Sequence, residues 1–338
     1  MTKILIIYTG GTIGMVNNPT TGALIPFDFE QIQQNVPELA RLNYILEVHS
    51  FDPILDSSNM HPDIWAKLVK IIEANYDAYD GFVILHGSDT MAFTASALSF
   101  MLENLAKPVV LTGSQLPIGE IRTDAKENLI TALEIAATKK QGKAMVPEVC
   151  IYFDYQLFRG NRAIKYNSEK FEAFRTPNYP KLAEAGVHLT FFKNYIQHQP
   201  REPLIVHPDL NANIGVLKLY PGITPQAVHA ITRSSVNGIV LETFGSGNTT
   251  TAEWFIAALQ ESIDAGKIIV DISQCMGGSV ELGKYETSKK LQQMGVVSGF
   301  DMTFEATVTK LMYLMGLNLP ISLIKELMEQ SLRGELSA

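Results

Sequence analysis

Cysteine is nearly absent: the 338-residue chain carries two, Cys150 and Cys275, far apart and each inside an apolar run. That excludes a disulfide scaffold and a zinc ribbon, and both thiols are expected in the core. Positive charge is in deficit. Against 35 acidic residues stand 27 Lys and Arg, a net charge of −8. Such a surface offers no basic face to displace counterions from nucleic acid or to adsorb to an anionic bilayer. Long apolar runs are missing too, since no stretch approaches the ~20 residues of a membrane span. The apolar stretch Ile4–Tyr8 is far shorter than a signal-peptide core and runs into Gly10-Gly11, so no leader is expected and the cytoplasm is the expected location. Seven scattered histidines show no H-x-x-x-H, and the carboxylates lack calcium-loop spacing, so no metal is expected.

Apolar material is plentiful, at 46% of residues with 18% charged, which is enough for sizeable cores and rules out a disordered chain. The length suggests two domains. In the first half, short β-branched runs alternate with longer amphipathic ones. Strands are predicted at Ile4–Thr9, Tyr44–Phe51, Phe82–Leu85, Val109–Thr112 and Val149–Phe153, and helices at Pro62–Ala74, Met91–Leu105 and Asp124–Ala137. That alternation is the sequence form of a parallel sheet with right-handed crossovers. Phe158–Lys165 breaks the rhythm and reads as a hairpin or extended arm. Residues 190–211 hold three prolines and no clean period, which suits a linker. The alternation then restarts, with strands at Ile214–Leu219, Ile239–Leu241 and Ile268–Ile272 and helices at Ala252–Ala265, Phe304–Met315 and Ile321–Leu332. The expected architecture is two α/β domains. The larger, catalytic one spans 1–189, with a mostly parallel sheet and a hairpin arm; the smaller spans 212–338, joined to it by 190–211.

Ligands of open parallel sheets bind beyond the carboxyl ends of the strands. The residues there are Thr9-Gly10-Gly11-Thr12-Ile13-Gly14, Asp56-Ser57-Ser58-Asn59-Met60, His86-Gly87-Ser88-Asp89-Thr90 and Thr112-Gly113-Ser114-Gln115. All four carry hydroxyls, glycines or a carboxylate. The first loop is neither G-x-G-x-x-G nor a Walker sequence, so a nucleotide cofactor is not indicated. Its glycines allow close backbone approach to something small, with Thr12 held against it, although a tight turn capped by Thr12 would read the same. Asp89 can cap a helix, orient a water or bind an amine. His86 is a second possible base or a strand-end histidine satisfied by backbone. Asp56-Ser57-Ser58 is a turn or a carboxylate-binding pair of hydroxyls. Arg159, Arg162 and Lys165 on the arm read as solvated charges, unless a lysine meets a buried aspartate and the pair relays a proton.

Three segments, YTGGTIGM (Tyr8–Met15), ILHGSDTMAFTAS (Ile84–Ser96) and FRGNRAIK (Phe158–Lys165), together with DSSNM, LTGSQLP, KENL, QCMGGSV and EATVTKL, resemble the bacterial-type L-asparaginases, most closely the type I, cytoplasmic branch. The similarity runs over essentially the whole chain. It implies hydrolysis of L-asparagine to L-aspartate and ammonia without a cofactor, with Thr12 as nucleophile and Ser88, Asp89 and Lys165 as a second catalytic group. It implies substrate binding by Gly11, by the Asp56, Ser57 and Ser58 loop, and by Ser88 and Asp89. Assembly as a homodimer or homotetramer is also implied, with Asn248 of FGSGN supplied by the neighbouring subunit. An amide is a poor electrophile with a poor leaving group. It needs a nucleophile, oxyanion donors and a proton source for ammonia, and these residue types supply them.

Three departures from the family pattern carry consequences. Ser88 stands where members usually have threonine, which keeps the oxygen but frees its rotamer. Gly22 is followed by Ala23-Leu24, with no tyrosine between Gly10 and Phe29, so the base for Thr12 is unassigned. Glu242 occupies the place of an arginine that clamps a regulatory asparagine, turning attraction into repulsion; activation by asparagine is not expected although Cys275 matches. Two other readings exist. A tRNA-linked amidation subunit normally carries an additional domain ahead of the Gly-Gly-Thr strand. A non-catalytic amino-acid sensor would bind asparagine and release no ammonia. Glutamine, longer by a methylene, would displace its amide from Thr12, so asparagine is the expected preference.

Overall fold

A computed structural model describes residues 1–17, 24–26 and 36–337, which form two compact units, 1–208 and 209–338. The first unit is built on an eight-stranded sheet. Its strands are β1 (Thr2–Gly10), β2 (Tyr44–Leu55), β3 (Gly81–Leu85), β4 (Val109–Thr112), β5 (Val149–Phe153), β6 (Gln156–Arg159), β7 (Ala183–Ala185) and β8 (Leu189–Phe191). The spatial order is β8-β7-β6-β5-β4-β3-β1-β2. Strands β1 to β5 pair in parallel, and β6 to β8 continue the sheet antiparallel.

Burial explains the parallel core. Every residue of β3, β4 and β5 is buried, as is β1 from Ile4 onward, because crossover helices cover both faces. Ile4, Ile6, Tyr8, Val83, Leu85, Val110 and Tyr152 join one core with Leu129, Ala132 and Leu133 of helix α3 (Ala125–Ala137). The alternate residues, such as Leu5, Ile7 and Ile84, are equally buried and face the other side by strand alternation. Helix α1 (Pro62–Asn75) buries one stripe, whereas α2 (Met91–Met101) is apolar nearly all round and buried over almost its whole length, as expected of an interior helix. Strand β2 lies on the edge and shows the half-exposed alternation of one.

The arm between β5 and Lys165 starts with a tight hairpin. Asp154 and Tyr155 both take positive φ (47° and 63°), as a two-residue hairpin loop requires, and β6 returns antiparallel from Gln156. Two expectations need correction here. Arg159 and Arg162 are 6% and 1% exposed rather than solvated. Arg159 bonds Glu148 at 2.7 Å and the Tyr195 carbonyl at 2.8 Å, and both guanidinium groups stand over the Tyr179 ring; pairing and stacking make that burial tolerable. The helix expected over Met91–Leu105 ends at Met101. Leu102–Glu103 pairs instead with Ile205–Val206, and Asn104 turns at φ 59°.

The second unit holds a four-stranded parallel sheet of β9 (Ile214–Lys218), β10 (Gly238–Thr243), β11 (Ile268–Ser273) and β12 (Val297–Ser298), in that order. Helices α4 (Pro225–Thr232), α5 (Glu253–Asp264), α6 (Glu286–Met294), α7 (Phe304–Gly316) and α8 (Ile321–Met328) accompany it. Helix α8 stops short of the expected Leu332, since the carbonyls of Met328 and Gln330 turn to accept hydrogen bonds from Lys310. That lysine and Glu335 form an ion pair at 2.6 Å with no exposure on either side. Cys150 is buried as expected, but Cys275 is exposed. It lies beyond the end of β11, in a loop where its N–H bonds the Ser273 hydroxyl, so the core ends before it. Among the described residues no helix is long and apolar enough to cross a membrane.

Candidate active site

The strand order 2-1-3-4-5 puts a topological switch point between β1 and β3, the place where open α/β sheets hold ligands. The carboxyl ends of both strands meet there with almost no side-chain volume between them. Gly11 has φ 90°, and a Cβ on it would lie 2.4 Å from the Gly87 nitrogen. A Cβ on Gly87 would in turn lie 2.5 Å from the Ser57 hydroxyl. The backbones of the loops after β1 and β3 are therefore in direct contact, the Ser57 side chain of the loop after β2 closes on Gly87, and glycine is required at position 11.

Thr12 opens a 3-10 turn, Thr12–Gly14, straight after β1. Beneath it, Tyr8 donates from its phenol to the Gly14 carbonyl at 2.7 Å. Burial pushes the Tyr8 phenol up, so it stays a neutral donor that props the turn and does not serve as a base for Thr12. The Thr12 hydroxyl has no hydrogen-bond partner among the described residues. Gly22 and Ala23, where the family's tyrosine would be sought, lie outside them.

After β2, Asp56 caps a short turn by accepting from the Ser58 N–H at 2.8 Å and its hydroxyl at 2.6 Å, and these bonds hold its carboxyl below the usual range. Ser57 is buried, and its carbonyl accepts from the Thr90 hydroxyl at 2.7 Å. After β3, His86 is fully buried, with Nδ1 2.6 Å from the Gly87 carbonyl and Nε2 2.9 Å from the Thr94 hydroxyl. Burial pushes its pKa down to about 4, so it is a neutral structural ring near pH 7. Of its two earlier readings the satisfied strand-end histidine is the one that holds.

The hairpin arm returns Lys165 to this crevice. Its ammonium donates to the Ser88 hydroxyl at 2.8 Å and to Asp89 Oδ1 at 2.6 Å. The lysine side chain is 15% exposed and that of Asp89 69%, so the carboxylate is open to solvent while the ammonium is sheltered. The structure thus brings together Gly11, Thr12, Asp56, Ser57, Ser58, Ser88, Asp89 and Lys165 at neighbouring strand ends of one unit. Asn248 belongs to the second unit. It closes a tight turn after β10, in which Phe244 and Asn248 exchange backbone hydrogen bonds at 2.9 and 2.8 Å. Glu242 pairs with Lys218 at 3.2 Å. No group of three or more potential metal-ligating side chains occurs among the described residues.

Sequence reasoning placed Gln115 at a strand end without a role and did not bring Asp124 or Asn128 to the site. Gln115, in the loop after β4, reaches the Ser88 hydroxyl at 3.5 Å. Asp124 accepts from the Gln115 and Leu116 N–H groups at 2.9 and 3.1 Å. Asn128 donates to the Gly113 carbonyl at 2.9 Å. The available signal was a pair of polar residues four apart, Asp124 at the N-cap position and Asn128 on the first turns of a helix whose buried face is mostly apolar.

The chain matches two family models: Asparaginase, N-terminal, over residues 3–197, and Glutaminase/Asparaginase C-terminal domain, over 213–328. It is 43% identical over 336 residues to L-asparaginase 1 of Escherichia coli K12, covering 99% of this chain and 98% of that one. Among solved structures, L-asparaginase I from Vibrio cholerae superposes with a TM-score of 0.91 at 41% identity, covering 100% and 99% of the two chains. The thermostable L-asparaginase from Thermococcus kodakarensis gives 0.91 at 33% identity over 100% of both.

Proposed function

The chain belongs to the asparaginase family, and from that premise we propose that it hydrolyses L-asparagine to L-aspartate and ammonia, with Thr12 as nucleophile. The Thr12 oxygen attacks the carboxamide carbon, and backbone N–H groups of the glycine-lined crevice receive the oxyanion. The C–N bond breaks as the nitrogen takes a proton, ammonia leaves, and an aspartyl ester remains on Thr12. Water then adds to that ester, and aspartate departs as the threonine oxygen regains its proton. Ser88, Asp89 and Lys165 manage these protons. Asp89, carrying the exposed carboxylate, pairs with the substrate α-ammonium, and the Asp56–Ser58 loop takes the α-carboxylate.

What carries this reading is the Lys165–Ser88–Asp89 cluster, closed at 2.8 and 2.6 Å at the switch point that also holds Thr12. A lysine ammonium beside a carboxylate can hold a serine hydroxyl and pass a proton through it. Asn248 completes the site from a second copy in a homodimer or homotetramer, and the protein works in the cytoplasm. Asparagine is preferred over glutamine. Glu242, already paired with Lys218, leaves no cationic clamp for a regulatory asparagine, so saturation is hyperbolic.

The test is ammonia release from asparagine by the wild type, T12A and S88A. The wild type turns over. T12A loses on the order of 10³-fold or more, as removal of a nucleophile does, and S88A on the order of 10²-fold. A T12A enzyme at the wild-type rate refutes the nucleophile assignment, and a wild type that binds asparagine without releasing ammonia refutes catalysis.

A further inference from the structure

The Ser88 hydroxyl is held from two sides, and the direction of each hydrogen bond is forced. Lys165 is an ammonium and can only donate, so in the 2.8 Å contact Ser88 accepts. Opposite stands Gln115. Its Nε2 donates to the Lys170 carbonyl at 2.9 Å, and a carbonyl can only accept. The carboxamide is thereby oriented, with its NH2 toward Lys170 and its oxygen toward Ser88. The Ser88 proton then points at Gln115 Oε1, 3.5 Å away, a contact at the long end of the hydrogen-bond range.

The Gln115 backbone is fixed as firmly as its side chain. The Asp124 carboxylate accepts its N–H at 2.9 Å and that of Leu116 at 3.1 Å. Asn128, on the next turn of α3, holds the Gly113 carbonyl at 2.9 Å and touches Asp124 at 3.3 Å. Two helix residues thus anchor the loop after β4, and that loop delivers one acceptor to Ser88.

A serine needs such an acceptor more than a threonine would. Without a β-methyl its χ1 has three staggered wells of similar access, and one hydrogen bond from a flexible lysine does not select among them. We infer that Gln115 is a positioning residue for the proposed reaction: its carboxamide oxygen, oriented through Lys170 and anchored by Asp124, fixes the rotamer and proton direction of Ser88, supplying the constraint that a β-branched side chain would carry in itself. The inference rests on the reading of Ser88 and Lys165 as the proton-handling pair.

The test is a double-mutant cycle on the full-length enzyme, with kcat and KM for asparagine measured for wild type, Q115M, S88T and Q115M/S88T. Q115L, a second apolar replacement, is carried through the same cycle, and thermal melting confirms that each variant is folded. Removing the acceptor lowers kcat about 10-fold with KM changed less than about 3-fold, because the hydroxyl is misdirected while substrate contacts persist. In the S88T background the same substitution costs less than about 3-fold, since the methyl now selects the rotamer. An unchanged kcat in both Q115M and Q115L overturns the inference. So does an equal loss in the serine and threonine backgrounds, which would make Gln115 a general brace of the loop. Failure of the underlying reading looks different: there S88A itself keeps the full rate.

Discussion

Substituting Gly11 with alanine tests the geometry of the crevice most directly. The added Cβ lies 2.4 Å from the Gly87 nitrogen and 2.6 Å from its Cα. Both are backbone atoms, so no side-chain rotation relieves the contact. The φ of 90° with ψ 167° is a conformation essentially confined to glycine and adds strain of about 1–3 kcal/mol for a residue with a Cβ. Reaching an ordinary van der Waals separation moves the two loops apart by about 1 Å, and a misplacement of that size costs on the order of 10²-fold in rate. The strands themselves resist, since β1 and β3 are paired from Ile4 with Gly81 to Tyr8 with Leu85, so the displacement falls on Thr12 and Ser88. The assay is steady-state ammonia release, with thermal melting as the control for folding. G11A is expected to lose about 100-fold in kcat/KM while still melting cooperatively. A G11A enzyme within about 3-fold of wild type would refute the claim that backbone contact between these loops sets the site.

Two further predictions concern stability in the second unit. Asp271 has no exposure, and its Oδ1 accepts from the Thr243 hydroxyl at 2.7 Å, while burial pushes its pKa up to about 7. A carboxyl whose folded pKa is raised favours the fold below its unfolded pKa, and that advantage is lost as pH rises toward the folded value. Relative to wild type, D271N therefore gains unfolding free energy between about pH 4 and pH 7, by at most ~4 kcal/mol at about 1.4 kcal/mol per pH unit. Denaturant unfolding at several pH values checks this, and a constant difference would contradict it. E335Q leaves the buried Lys310 ammonium without its anionic partner and is expected to cost about 3–5 kcal/mol. Calorimetry should show a clearly lowered transition, and an unchanged one would mean that the carbonyls of Met328 and Gln330 suffice for Lys310.

The parallel core was legible because it is encoded locally. β-branched runs of four to six residues ending in a hydroxyl and followed by glycine, such as Ile4–Thr9 and Val109–Thr112, are too short for a core helix and read as buried strands. Helix α4 has a local signature too, since Thr224-Pro225 is a cap followed by proline at the first turn. The segment 102–105 misled because its apolar residues continue the helical period, while its true partner, Ile205–Val206, is remote in sequence. Local pattern carries no information about such a bridge.

By itself the sequence determined the strand ends, the residue types that sit on them and, through three motifs, the chemistry they suit. Only the tertiary structure decided which of those residues meet. It carried Lys165 back along the hairpin arm to Ser88 and Asp89, and it made His86 a buried neutral ring rather than a base. It buried Arg159 and Arg162 on a tyrosine face and left Cys275 in solvent. The physical reason is that burial and charge pairing depend on neighbours distant in the chain, whereas the backbone preferences that make strands and turns are settled by residues side by side.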